Sequence, residues 1–143
     1  MTYTYDYPRP ALTVDIAVFA KKLKGYEVLL ISRKNDPFSG MWALPGGFVD
    51  MDETVETAAS RELFEETNLK GIHLEQFHVF SEVERDPRGR TVSVVFTGFL
   101  QDDQKVKAKD DAKEARWFSV KKIPELAFDH RKIMDMLIEK RLS

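Results

Sequence analysis

The sequence predicts a single α/β (α+β) domain over residues 1–143, and three observations carry that prediction. Short β-prone apolar runs alternate with two segments of helical periodicity, one near the middle of the chain and one at its C-terminal end. With 143 residues, 43% apolar and 32% charged, the chain can form one real core beneath a globular protein's polar surface. No repeat, low-complexity tract or linker divides it.

Composition also excludes several classes. A net charge of −2 makes no electrostatic case for a nucleic-acid surface. No apolar run approaches the ~18 residues of a membrane span, and the N-terminal MTYTYDYPRP has no apolar signal core. The absence of cysteine removes disulfides and thiolate metal sites, so a cytoplasmic home is expected.

Taken in order, residues 1–10 place Tyr3, Tyr5 and Tyr7 at alternate positions before Pro8, Arg9 and Pro10, which suggests an extended arm. Such an arm packs on its own domain, exchanges across a dimer, or walls a substrate pocket. Residues 12–20 (LTVDIAVFA) read as a central strand, and residues 26–33 (YEVLLISR) as its hairpin partner across a polar turn. NDPFSG at 35–40 is a dense turn signal, and Trp42 just beyond it is expected in the core. Gly46 and Gly47 then let the backbone come close to a metal or a phosphate.

Thr54 can cap the helix that follows, and Glu53 and Glu56 suit its positive end. At about 3.6 residues per turn, Val55, Ala58, Ala59 and Leu69 share a side with Glu62, Glu65 and Glu66. Like charges three and four apart destabilise a helix by about 0.2–0.5 kcal/mol per pair. Partial burial adds a larger penalty unless something neutralises them. A hard divalent cation does so: Mg²⁺ takes oxygen ligands and keeps waters that a phosphate can displace. A solvated acidic face would show the same glutamates, and the residues around them separate the two readings.

Residues 72–84 read as a long strand or a bulged one, 85–90 (RDPRGR) as a hairpin turn carrying Arg85, Arg88 and Arg90, and 91–100 as the returning strand. Beside a carboxylate–metal site such arginines suit a diphosphate. His73 and His78 have no partner at ligand spacing and read as structural. Residues 101–113 form a charged surface loop before the strand AKEARWFSV, and Pro124 breaks the segment 121–126. Residues 128–142 read as an amphipathic helix with Asp129 as N-cap and its methionines as core filler.

From Gly47, five residues lead to Glu53, and seven more to Arg61-Glu62-Leu63, then Phe64, Glu65-Glu66, Thr67, Asn68 and Leu69. This resembles the Nudix box, Gly-x5-Glu-x7-Arg-Glu-(apolar)-x-Glu-Glu-x-Gly-(apolar). It meets every fixed position but the second Gly, which is Asn68 here. That Gly would end the helix in a left-handed conformation, and Asn is the next best residue there.

The resemblance implies the Nudix fold, a mixed curved sheet sandwiched between helices. It implies Mg²⁺-dependent hydrolysis of a nucleoside diphosphate derivative at a phosphoanhydride bond, with Mn²⁺ as a substitute. Glu62, Glu65, Glu66 and the Gly46 carbonyl correspond to metal ligands, and Glu53 corresponds to the partner of Arg61. The general base is Glu62 or a late loop acid, with Asp110, Asp111 and Glu114 as the candidates.

Three further stretches resemble the ADP-ribose pyrophosphatase group: residues 7–15 (YPRPALTVD), the 85–90 turn, and 126–130 (LAFDH). They imply ADP-ribose as substrate, giving AMP and ribose 5-phosphate, with Arg9, Arg85 and Arg88 as substrate contacts. A (d)NTP or oxidised nucleotide is the alternative substrate. A non-catalytic ADP-ribose sensor is the rival class, although the chain ends at Ser143 without room for the winged helix such regulators carry. A homodimer is consistent with the family and with the aromatic arm.

Overall fold

The apolar run near the N-terminus becomes the axis of the molecule. The computed structural model describes residues 2–108 and 112–142. Strand β1 (Ala11–Lys22) runs parallel to β6 (Thr91–Phe99) from Ala11↔Thr91 to Phe19↔Phe99. On its other side β1 changes partner. Thr13, Val14 and Asp15 pair with β4 (Gly46–Phe48), whereas Phe19 to Lys22 pair with β2 (Gly25–Arg33). Ile16 N–H marks the switch by donating to the Pro45 carbonyl at 2.8 Å. The sheet therefore forks along the middle of its central strand.

Beyond the fork, β2 pairs with β3 (Trp42–Ala43) and with β7 (Ala112–Ser119). Strand β5 (Glu75–Phe80) closes the other edge against β6, with a register shift between Gln76 and His78. The sheet is mixed, as expected, and the bulge falls within the segment expected to hold one. The strand itself is shorter than 72–84, because residues 81–90 form a wide turn.

Helices α1 (Val55–Thr67) and α2 (His130–Arg141) cover opposite faces. Val14, Ile16 and Val18 pack under α1 with Ala58, Ala59, Leu63 and Leu69. Ala17 and Phe19 pack under α2 with Ile133, Met134 and Leu137. A strand covered on both faces must be apolar at consecutive positions, which is why residues 16–20 (IAVFA) read as an unbroken apolar run. Truncating one of these buried leucines to alanine typically costs about 2–5 kcal/mol. Trp42 is half-buried against the α2-side core, its ring 4.8 Å from Phe118. His73 and His78 are exposed. No helix among the described residues is long and apolar enough to cross a membrane.

Candidate active site

Helix α1 begins where its sequence says it should. Thr54 Oγ1 accepts the Thr57 N–H at 3.1 Å. It ends at Asn68, whose φ of 70° is left-handed and whose N–H reaches the Phe64 carbonyl at 2.9 Å. The one departure from the box thus keeps the backbone role expected of the missing Gly.

The buried stripe of α1 is rotated from the expected one. It runs through Ala58, Ala59, Leu63, Glu66 and Thr67, leaving Glu62 at its edge and Glu65 more exposed. Leu63 takes the core position because it can fill it without a charge to satisfy. Glu66 is the one carboxylate carried inside, at 6% exposure, and it accepts the Gly46 N–H at 2.7 Å.

Arg61 gathers the remaining acids. Its Nε and Nη2 grip Glu53 at 2.9 and 2.6 Å, and Nη2 also donates to the Phe48 carbonyl at 3.1 Å. Its Nη1 reaches Glu62 at 2.9 Å and Glu65 at 3.2 Å. The Arg61 guanidinium and the Asp50 N–H together hold the Glu53 carboxyl down at about 2. Glu53 pushes the Arg61 pKa up against the opposing effect of Arg61's own burial, with Glu62 and Glu65 adding to the rise. Arg61 therefore supplies part of the neutralisation that the sequence assigns wholly to a cation. Among the described residues, no group of three or more acidic or imidazole side chains is arranged to hold a metal ion.

Two glycines bring β4 against this cluster. A Cβ on Gly47 would lie 2.6–2.7 Å from the Glu62 carboxylate, and one on Gly46 would strike the Val14 carbonyl. Only a bare backbone lets Glu62 lie over the strand. The donors presented here are all hard oxygens, from Glu62, Glu65, Glu66 and the backbone, and this set suits Mg²⁺ or Mn²⁺.

A cavity of about 400 Å³ opens at the fork, with Glu62, Glu66, Gly46 and Gly47 on one side. Arg33, Lys34, Arg85 and Arg88 lie among its other lining residues. Arg88 is fixed by Asp86, with Nη2–Oδ2 at 2.7 Å, and its guanidinium sits 4.9 Å from the Phe48 ring and 5.1 Å from Phe128. Burial raises the Asp86 carboxyl, but its bonds from Arg88 leave it below the usual range. Arg33 stacks on Phe128 from 4.9 Å. Phe128 itself has φ 55°, a strained setting for an aromatic residue.

Arg85 lines the cavity but is only 4% exposed, and Asp129 holds its guanidinium through two bonds of 2.7 and 2.9 Å. That commitment also corrects the expected N-cap of α2: Asp129 makes no cap bond, because its carboxylate is turned to Arg85. Asp15 lies next to this pair, accepting from Ser93 Oγ at 2.5 Å and facing His130 Nε2 at 3.4 Å. Burial raises its carboxyl, and His130, Ser93 and Arg85 outweigh burial to leave it below the usual range.

The structure thus brings together Gly46, Glu53, Arg61, Glu62, Glu65 and Glu66, with Arg85 and Arg88 across the cavity. It does not bring Arg9 there: Arg9 lies on the exposed arm with its guanidinium 3.9 Å from the Tyr5 ring. Glu114 is on β7, exposed and paired with Arg116 at 3.1 Å, outside the cavity lining. Asp110 and Asp111 lie outside the described residues. Sequence reasoning did not single out Asp15, Arg33, Phe48, Phe128 or His130 as lining residues, although Asp15 lies in the 7–15 stretch and Phe128 and His130 in the 126–130 stretch that carry the resemblance. A further signal was the carboxylate at position 15 inside an otherwise apolar strand.

A NUDIX domain model matches residues 9–137. The chain belongs to the Nudix family. It is 47% identical over 128 residues to an ADP-ribose pyrophosphatase of Methanocaldococcus jannaschii, an alignment covering 90% of this chain and 73% of that one. It is 35% identical to the ADPR-responsive transcriptional repressor NtrR of Acinetobacter baylyi, covering 90% of this chain but only 53% of the repressor. Among solved structures, the NUDIX domain of Shewanella oneidensis NrtR complexed with ADP ribose superposes with a TM-score of 0.85. That pair is 33% identical and covers 95% of this chain and 93% of the other. The observed Nudix sandwich is the expected one.

Proposed function

We propose that this Nudix hydrolase cleaves the phosphoanhydride bond of ADP-ribose with a divalent cation, giving AMP and ribose 5-phosphate. The observation that carries the reading is a single cavity walled by the box carboxylates Glu62 and Glu66 and reached from the other side by Arg88 and Arg33. The kinship with the archaeal ADP-ribose pyrophosphatase directs the choice of substrate.

Glu62, Glu65, Glu66 and the Gly46 carbonyl would hold Mg²⁺, or Mn²⁺ in its place. When bound, the cation polarises phosphoryl oxygens and makes water a better nucleophile. Arg61 holds Glu62 toward the cavity, and the Glu53 carboxylate keeps Arg61 in place. Arg88, locked by Asp86 and lying against the Phe48 and Phe128 rings, presents a cation to the diphosphate. Glu62 is the base in this reading, taking a proton from the attacking water, with Asp110 or Asp111 as the alternative. A cytoplasmic location and a homodimer belong to the same reading, the exposed Tyr3, Tyr5 and Tyr7 serving the latter.

The test is hydrolysis of ADP-ribose with Mg²⁺, scored as AMP, with 8-oxo-dGTP and dNTPs in parallel, on the wild type, Glu62→Gln and Glu66→Gln. A kcat/KM above about 10⁴ M⁻¹s⁻¹, lost in both variants, is the expected result. Turnover of triphosphates alone would overturn the substrate. The likeness to the ADP-ribose-bound NUDIX domain of NrtR and to the ADPR-responsive repressor NtrR supports a second reading, a sensor, which tight binding of ADP-ribose without turnover would favour.

A further inference from the structure

His130 is the first residue of α2, 3% exposed, and lies on the wall of the cavity. Its Nδ1 accepts the Leu44 N–H at 3.0 Å. An imidazole nitrogen that accepts an amide proton carries none of its own, so the ring proton resides on Nε2. That nitrogen faces Asp15 Oδ1 at 3.4 Å. The ring therefore bridges two strands of the fork: Leu44, which leads into β4, and Asp15, on β1.

Leu44, its side chain in the α2-side core, occupies a short span between two strand ladders. Ala43 ends the β3 ladder with Ile31, and Gly46 begins the β4 ladder with Asp15. Between them, Pro45 has no N–H to give, and its carbonyl accepts from Ile16. The Leu44 amide is the only N–H in the gap, in a residue 2% exposed, and its partner is His130. Two residues later, Gly46 donates to Glu66 and carries the carbonyl assigned to the cation. A shift of Leu44 moves Gly46, and Gly46 sets where the buried carboxylate points.

We propose that His130 is a positioning residue: as an Nε2–H imidazole it fixes Leu44, and through Leu44 it sets the Gly46–Glu66 wall for the cation. The inference rests on the reading above that Gly46 and Glu66 serve a cation. Asp15 completes the device from the other side. Its Oδ2 is held by Ser93, and its Oδ1 lies so near Gly46 that a Cβ there would come within 2.6 Å of it.

Two substitutions divide the bridge. In His130→Asn the amide oxygen overlays Nδ1 and keeps an acceptor for Leu44. In His130→Gln the amide overlays Nε2 and keeps a partner for Asp15 alone. Three quantities are read: hydrogen exchange of the Leu44 amide in metal-free protein, affinity for Mn²⁺, and kcat and KM for ADP-ribose. In His130→Gln the Leu44 amide is expected to exchange at least about tenfold faster and Mn²⁺ affinity to fall about tenfold, the scale of losing an outer-shell support. The kcat falls more than KM rises. His130→Asn returns all three toward wild type.

Unchanged Leu44 exchange or unchanged Mn²⁺ affinity in His130→Gln overturns the proposal, as does equal damage in both variants. Should neither variant fold, ¹⁵N imidazole shifts of the wild type decide. An Nε2–H ring supports the bridge, and an Nδ1–H ring overturns it. A wild type that binds no Mn²⁺ defeats the cation reading itself, while the ring tautomer and the Leu44 exchange still judge the bridge.

Discussion

Adding one methyl group at Gly47 separates folding from chemistry. The new Cβ of Gly47→Ala would lie 2.6 Å from the Glu62 Cδ and Oε1 and 2.7 Å from Oε2, well inside the 3.4–4 Å of ordinary contact. The obstacle is the tip of a long side chain, so χ rotation of Glu62 relieves the clash and β4 need not move. The fold should lose less than the about 1–3 kcal/mol typical of overpacking. The Glu62 carboxylate must swing by about an ångström, and a displacement of that size can cost on the order of 10²-fold in rate.

Gly46→Ala is the counterpart. Its Cβ would strike the Val14 carbonyl and approach the Asp15 backbone to 3.0 Å, so the central strand itself must give. Thermal unfolding and ADP-ribose hydrolysis measured side by side distinguish the two. The expected pattern is a Gly47→Ala protein that melts within a few degrees of wild type but turns over about a hundredfold more slowly, and a Gly46→Ala protein that melts well below both. Near-wild-type turnover by Gly47→Ala, or equal melting of the two variants, would refute the reasoning.

Three further outcomes follow from side chains already placed. Glu53 titrates at about 2 in the fold against an ordinary 4.5, so its stabilising contribution is complete above pH 4.5 and disappears as pH falls toward 2; the melting temperature of Glu53→Gln should therefore fall less steeply than that of wild type across that window. Arg85→Ala leaves Asp129 and Asp15 without their cation and should cost about 3–5 kcal/mol in denaturant unfolding, as broken buried pairs do. Asn68→Gly should be neutral or stabilising by up to about 1 kcal/mol, and Asn68→Ala destabilising by about as much, because position 68 is left-handed and has no use for a Cβ.

What could be read from the sequence was local or strictly spaced. Helix α1, its Thr54 cap, its left-handed end at Asn68 and the Glu53–Arg61 pair all depend on residues within about twenty positions of one another. The central strand was legible because burial on both faces leaves a continuous apolar run. The pairing of β4 on β1 was not, since three residues containing two glycines carry no strand signal and the partner lies some thirty residues away. Arg85 was legible as a cation near the site but not as one already occupied. Its two acidic neighbours come from positions 15 and 129, which only the closed fold brings together. His130 was hidden for the same reason, its partners Leu44 and Asp15 being distant in the chain.

The parting of β1 from one neighbour to another has a consequence for how such a protein can change. Part of the cavity rim, at Lys34, Asn35, Asp36 and Arg88, comes from turns outside the α1- and α2-side packing layers. Substitutions at those four positions can reshape the opening while the packed layers and the buried Arg85–Asp129 pair stay as they are. The hydrolytic floor, by contrast, is welded to the central strand through Gly46 and Gly47. Ligand preference and bond-breaking apparatus are thus separate inheritances on one scaffold, the first free to drift and the second bound to the architecture.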